Sequence, residues 1–234
     1  MAAPVILAID TATERCSVAV LHAGGMAELD ELVGQSHSEH VLPMVDAALA
    51  QAGLVLGDVD AFAFGAGPGS FTGLRIACGV VQGLAYAGAR PVVPVGNLRA
   101  LAAAAFARQP DARVVLAAID ARMRESYCAA YRNDADVSEV RAAAVESPDA
   151  LGSIALETNA DVVAGDALTV FPEAWSGVGA TRLPDARGSA ADIARLAARD
   201  YAQGRALTAA EAMPVYVRDR VALTIDERAK KVAP

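Results

Sequence analysis

The sequence predicts an α/β protein built from two like halves, and three observations carry that prediction. Apolar runs of strand length alternate with longer runs at helical spacing along the N-terminal half. The opening pattern "VILAIDTATERCSVAV" (5–20) returns as "VVLAAIDARMRESYCAAYR" (114–132). Each copy is an apolar strand ending in an acid (Asp10, Asp120), a short turn carrying Arg, and a second apolar strand. A repeated strand–Asp–hairpin unit implies a duplicated α/β lobe with a cleft between the copies.

The elements follow in order. "VILAI" (5–9) reads as a buried strand, "CSVAVLH" (16–22) as its hairpin partner and "MAELDELV" (26–33) as a third strand. "EHVLPMVDAALAQAG" (39–53) reads as a helix, with Pro43 in its first turn and Gly53 as its stop. Strand 59–64, the glycine-rich "GAGPGSFTGLRIA" (65–77), helix 73–87, strand "PVVPV" (91–95) and helix 97–108 come next. The boundary falls at 107–113, giving an N-terminal lobe over 1–108 and a C-terminal lobe over 109–234. The second half is less regular, with a strand at 160–164, a helix at 189–203 and a charged, frayed tail, "RVALTIDERAKKVAP" (220–234).

Composition narrows the function. Of 234 residues, 54% are hydrophobic and only 5% aromatic, so a sizeable core must rest on Ala, Val, Leu and Ile. The net charge of −8 argues against a protein that grips nucleic acid alone, because phosphate neutralisation dominates such affinity. An RNA role shared with a more basic partner stays open. Cys16, Cys78 and Cys128 are too widely spaced for a metal or disulfide framework and read as buried, reduced thiols of a cytoplasmic protein. The N-terminus lacks a signal-peptide pattern, and no run approaches the roughly 18 apolar residues of a membrane span.

Two stretches invite a chemical reading. The glycine-rich loop has no Walker lysine, Thr72 stands where a dinucleotide fingerprint needs its third glycine, and Pro68 removes one amide from any phosphate nest. It is either a strand-to-helix turn or an anion site at a helix start. Ser70 lacks the Gly-x-Ser-x-Gly setting of a nucleophile. Asp10 with Thr11 and Thr13 is either a metal–phosphate holder or an ordinary Asx-type hairpin turn. Arg122 reads as a partner for Asp120. "HSEH" (37–40) lacks the zinc-protease spacing, and its histidines read as surface-loop residues.

Helix 73–87 is apolar nearly all round, with one polar stripe of Arg75, Gln82 and Tyr86. Leu74, Cys78, Val81, Leu84 and Ala85 suit a sheet, whereas Ile76, Gly79, Val80, Gly83 and Ala87 offer a second face with small residues four apart. Helix 41–52 is apolar over more than half its circumference, through Val41, Leu42, Met44, Val45, Ala48, Leu49 and Ala52. The two helices either pack on each other or form a bundle with another chain. The expected partner face comprises Val41, Met44, Val45 and Ala48 with Ile76, Gly79, Val80, Gly83 and Ala87.

"ILAIDTATERCSVAV", "HVLPMVDAAL", "GPGSFTGLRIACGVVQGLAYA", "PVVPVGNLRAL", "AAIDARMRESY" and "PVYVRDRVA", in this order, resemble the TsaB (YeaZ) family. The resemblance implies the two-lobed fold of actin, sugar kinases and acetate kinase, with its ribonuclease H-like lobes. It also implies a non-catalytic dimerisation subunit in making threonylcarbamoyladenosine beside the anticodon of tRNAs that read codons beginning with A. The implied partners are a catalytic TsaD, an ATPase TsaE and tRNA through the complex, with a homodimer in isolation and no membrane. No catalytic residue and no metal belong to this chain in that reading; ATP, ADP and metal are handled by the partners. Matching strand 91–95 to TsaD places Asn97 and Leu101 at the positions of its metal-binding His-x-x-x-His pair. Ala12 stands where nucleotide-binding relatives have glycine, and Ala66 where many members have arginine. Nucleotide contact at Asp10, Thr11 and Thr13 is then vestigial. The glycine loop becomes a structural turn, shaped by Gly67, Pro68 and Gly69, with Ser70 or Thr72 capping the helix. A free-standing phosphotransferase of the sugar-kinase type is the alternative, and a peptidase the remotest reading.

Overall fold

The computed structural model describes residues 3–218. The tail expected over 220–234 lies outside the described residues. The first half runs β1 (Ile6–Asp10), β2 (Arg15–His22), β3 (Gly25–Leu32), α1 (His37–Ala52), β4 (Ala61–Gly67), α2 (Phe71–Gly88), β5 (Val92–Gly96) and α3 (Asn97–Arg108). The second runs β6 (Val114–Arg122), β7 (Glu125–Arg132), β8 (Glu139–Glu146), α4 (Pro148–Glu157), β9 (Val162–Ala164), α5 (Ala167–Val170), β10 (Thr181–Leu183) and α6 (Ala190–Ala202).

The strands form two five-stranded sheets, ordered β3-β2-β1-β4-β5 and β10-β9-β6-β7-β8. In each, an antiparallel meander of three strands continues into two parallel strands. The repeat is therefore structural: β6 to β10 reproduce the order and direction of β1 to β5, with Asp10 and Asp120 at equivalent strand ends. β8, α4 and β10 fill the stretch whose sequence has no clear period.

Period-two alternation sends each strand's side chains to two cores. Leu7, Ile9, Val18, Val20, Phe62 and Phe64 face α1 and α2, whereas Ile6, Ala8, Ala19, Ala61, Ala63 and Val95 face a central layer. That layer is α3 and α6, shared between the sheets: Val115, Ala117, Ala129 and Val162 meet it from the other side. Alanines at 100, 102, 105, 190, 191, 194 and 197 let the helices lie close. Leu116, Cys128, Leu151, Val163 and Trp175 make a third core beneath α4 and α5. The expected division at 108/109 is crossed twice, because α3 packs against β6, β7 and β9, while α6 packs against β1, β2, β4 and β5.

Several boundaries differ from expectation. α1 starts at His37, so Pro43 sits in its second turn and removes one intrahelical bond there. α2 starts at Phe71 because the Ser70 hydroxyl accepts from Gly73 N at 3.3 Å; Thr72 is inside the first turn and is not the cap. His37 is no surface-loop residue: it is buried, its Nε2 2.9 Å from Thr13 O. The three cysteines are free and buried. Burial pushes the Cys16 thiol up to about 12 and that of Cys128 to about 11.

Candidate functional site

The first hairpin and the glycine loop lock together. Asp10 ends a fully buried strand, and its Oδ1 accepts from Ala12 N and Asn97 Nδ2, both at 3.0 Å. Asn97 Oδ1 in turn accepts from Gly67 N at 2.7 Å. Burial pushes the Asp10 carboxyl up to about 6, against the pull of these donors. Thr11 is buried and donates to Gly73 O at 2.7 Å, while the Thr13 hydroxyl accepts from Arg15 N at 3.2 Å. Ser70 N donates to Ala12 O at 2.8 Å.

The loop's glycines serve this closure. A Cβ would lie 2.5 Å from Asp10 Oδ1 at Gly65, 2.6 Å from the Ala12 Cβ at Gly69 and 1.9 Å from Thr11 O at Gly73. The Asp10–Ala12 contact is an Asx-type turn, and the amides of Ala12 and Ser70 are already engaged. Asp120 repeats the turn, accepting from Arg122 N at 2.9 Å and pairing with the Arg122 guanidinium at 3.0 Å. Leu101 is buried in the central layer, and Asn97 is spent on the Asp10 knot. Among the described residues, no group of three or more His, Cys, Asp or Glu could hold a metal ion.

The expected partner face divides in two. Val41, Met44, Val45 and Ala48 of α1 are at most 4% exposed and belong to the chain's own core beneath the helix, so they are not partner-facing. The helix lies flat on β2 and β3, and that register turns its larger apolar residues inward. Of its apolar residues α1 leaves Leu42, Pro43, Ala47 and Ala50 outside, interspersed with exposed Ser38, Glu39, Asp46 and Gln51. On α2, by contrast, Gly79, Gly83 and Ala87 are exposed beside half-buried Ile76 and Val80. A Cβ at Gly79 or Gly83 would meet nothing within 4 Å, so the fold of this chain does not require glycine at either position. Tyr86, 83% exposed, flanks them.

A feature that composition hides is the returning segment 205–218, which lies along α2. Leu207 bridges to Val92, Ala212 O accepts from Gln82 Nε2 at 2.8 Å, and Val215 N donates to Ala66 O at 2.7 Å. Gly67, at φ 126°, makes room for Val215 O, which would stand 2.4 Å from a Cβ there. Arg75 Nε donates to the Tyr216 hydroxyl at 3.0 Å, and Arg218 reaches Ala121 O on the second hairpin at 3.0 Å. The polar stripe on α2 was the signal for this strap: Arg75 and Gln82 are its partners. Among the described residues no helix is long and apolar enough to cross a membrane.

With this geometry in hand, comparison with known proteins places the chain. The family described as "TsaD: tRNA N6-adenosine threonylcarbamoyltransferase" matches residues 22–214. The tRNA threonylcarbamoyladenosine biosynthesis protein TsaB of Escherichia coli is 38% identical over 226 residues, 93% of this chain and 96% of that protein. Its Haemophilus influenzae counterpart is 52% identical over 122 residues, and there the chain spans about half of that relative's length (51%). The crystal structure of a protein similar to peptidase YEAZ from Pseudomonas aeruginosa has a TM-score of 0.83 at 40% identity, covering 92% of this chain and 100% of that one. A putative N-acetylmannosamine kinase from Listeria monocytogenes, at 13% identity and a TM-score of 0.51 over 86% of this chain and 99% of its own, shares the fold alone. The duplicated α/β unit expected from the repeat, and the sugar-kinase fold that the family resemblance implies, are thereby shown.

Proposed function

This chain belongs to the TsaD-type tRNA threonylcarbamoyltransferase family, among its TsaB members, and from that premise we propose that it is a non-catalytic dimerisation subunit for threonylcarbamoyladenosine synthesis in tRNA. The observation that carries the reading is the α2 face at Gly79 and Gly83, exposed and sterically open, where a second helix could approach closely. Its partner would be a TsaD-like transferase sharing this fold. Pseudo-symmetry lets one patch serve both that heterodimer and a homodimer in isolation. A TsaE-like ATPase and tRNA would join through the complex, in the cytoplasm, with ATP, ADP and metal held by the partners.

Two features support the non-catalytic part. Leu101 has no metal-ligating atom and is packed in the core, and the Asn97 amide is bonded at both ends. The phosphotransferase alternative has less support, because the hairpin amide of Ala12 serves Asp10 and Val215 O sits against Gly67. Reconstitution with a TsaD-type subunit tests the proposal. We expect a stable heterodimer, tRNA modification only when both subunits are present, and no ATP turnover by this chain alone. Steady phosphoryl transfer by the isolated chain, or failure to pair with the transferase, would overturn it.

A further inference from the structure

At the start of α2 two aromatic rings and an arginine stand together at the surface. Phe71 and Tyr216 are 51% and 43% exposed, with ring centroids 5.6 Å apart. The Arg75 guanidinium lies 3.9 Å over the Phe71 ring while its Nε holds the Tyr216 hydroxyl. Among the described residues Arg75 has these partners and no carboxylate. Flat groups already fixed in place can accept another flat group with little further loss of side-chain freedom.

The cluster continues along the strap. Two residues on, Arg218 pairs with Glu125 at 2.5 Å and lies 5.8 Å from the Tyr127 ring centroid. It also bonds the base of the β6–β7 turn, whose tip is Arg122, Met123 and Arg124, all exposed and all in the left-handed region at φ 64°, 55° and 57°. That run directs two arginines outward. The ridge thus holds Arg75, Arg122, Arg124 and Arg218 with Asp120, Glu125 and Asp166, whose Oδ1 accepts from Asp120 N at 2.8 Å. Arg122 and Arg218 are paired to the first two acids, and among the described residues Arg75 and Arg124 have no carboxylate partner.

We propose that this ridge, from Phe71, Arg75 and Tyr216 to the β6–β7 tip, binds an unpaired nucleobase and its flanking phosphates in an RNA loop. The choice of RNA rests on the proposed role in tRNA modification; the stacking chemistry is independent of it. An exposed ring pair offers a π-face to any unstacked base, and a guanidinium plane both stacks and forks onto phosphate. Acidic peptides or lipid headgroups would use the arginines and leave the rings idle. The acidic remainder of the chain makes the contact salt-sensitive and auxiliary to a main RNA site elsewhere.

The test is fluorescence anisotropy of the full chain with a labelled RNA hairpin carrying an unpaired loop, at low salt, with ATP as a parallel probe. Phe71→Ala, Tyr216→Ala and Arg75→Ala should each weaken hairpin binding roughly tenfold, and Phe71→Trp should retain it. A fully paired duplex should bind more weakly than the hairpin. Thermal melts confirm folding, which half-exposed positions make safe to alter. Hairpin affinity unchanged in the alanine variants overturns the proposal. So does binding of ATP that falls in those variants while the hairpin is ignored, or a variant set that loses the transferase subunit instead of RNA. A wild-type chain that pairs with the transferase but ignores the hairpin removes the ridge and leaves the proposed function standing. Hairpin binding without pairing does the reverse.

Discussion

The side chain of Asn97 is shared between Asp10 and Gly67, donating to the Asp10 carboxylate at 3.0 Å and accepting from Gly67 N at 2.7 Å. One amide therefore ties the ends of β1 and β4 to the start of α3. Asn97→Leu strips a donor from a buried acid and an acceptor from the Gly67 amide. Asp10 keeps the Ala12 amide, so the main loss is the unpaired Gly67 amide, which should cost about 1–3 kcal/mol, read from urea denaturation at pH 7. An unchanged unfolding midpoint would show that the knot is not structural.

Asp10 gives a pH signature. Its folded pKa of about 6 lies above the unfolded 3.8, so the native state binds the extra proton between these values. Stability should fall as pH rises from about 4 to 6 and level off above, by roughly 2–3 kcal/mol at full shift. Asp10→Asn should flatten that window and leave the folded variant at least as stable at pH 7. If Asp10 only closes the hairpin, the variant also supports tRNA modification in the reconstituted complex. Lost activity in a folded variant would instead assign Asp10 a nucleotide-holding role.

The pair between α3 and α6, a buried Asp200 with a half-buried Arg99, has the opposite sign. Arg99 grips Asp200 through two bonds, at 2.7 and 3.1 Å, and Arg205 adds a third contact. Burial raises the Asp200 carboxyl, but Arg99 and Arg205 more than offset it, and its net shift is downward. Its contribution is present above the unfolded pKa and fades as pH falls through the folded one. Asp200→Ala leaves the part-buried Arg99 without its carboxylate and should cost about 2–3 kcal/mol by thermal or urea unfolding, below the figure for a fully buried pair. A loss below 1 kcal/mol would show that Asp136 O, which also accepts from Arg99, suffices.

Glycines on one helix should behave in opposite ways. At Gly73 a Cβ would lie 1.9 Å from Thr11 O, a backbone atom, so Gly73→Ala should destabilise by about 3 kcal/mol or more. At Gly83 the space is open, and Gly83→Leu should leave the monomer folded or roughly 0.5–1 kcal/mol more stable through helix propensity. The same leucine should abolish homodimerisation and transferase pairing in sedimentation experiments. A folded Gly83→Leu protein that still pairs would move the interface elsewhere.

Much of this was readable in residues, and the reasons for the rest are physical. Both hairpins could be read because each apolar strand stops at an acid, Asp10 or Asp120, and those acids close the turns. β8 (Glu139–Glu146) could not, since it is mostly half-exposed and lacks a clean alternation. Val41, Met44, Val45 and Ala48 show why an apolar helix does not declare which side is outside: packing register on the sheet decides. The strap 205–218 left only half a signal: the α2 stripe shows that Arg75 and Gln82 have partners, but on the strap itself those bonds fall largely on backbone groups such as Ala212 O and Val215 N, which its own side-chain pattern does not register.

Cys78 should report on that strap. Its Sγ lies 3.5 Å from Ala212 O, whereas Cys16 and Cys128 are fully buried on β2 and β7. Burial raises all three thiols, so none should react with an aromatic disulfide reagent at pH 8 while the chain stays closed. Lifting segment 205–218 uncovers Cys78 without unfolding either sheet, so it should label first and by local opening. Val215→Pro removes the amide that donates to Ala66 O, loosening the strap by about 1 kcal/mol. That should raise the Cys78 labelling rate about fivefold and leave Cys16 and Cys128 unchanged. Equal acceleration of all three would mean that the strap and the sheets open together, as one cooperative unit.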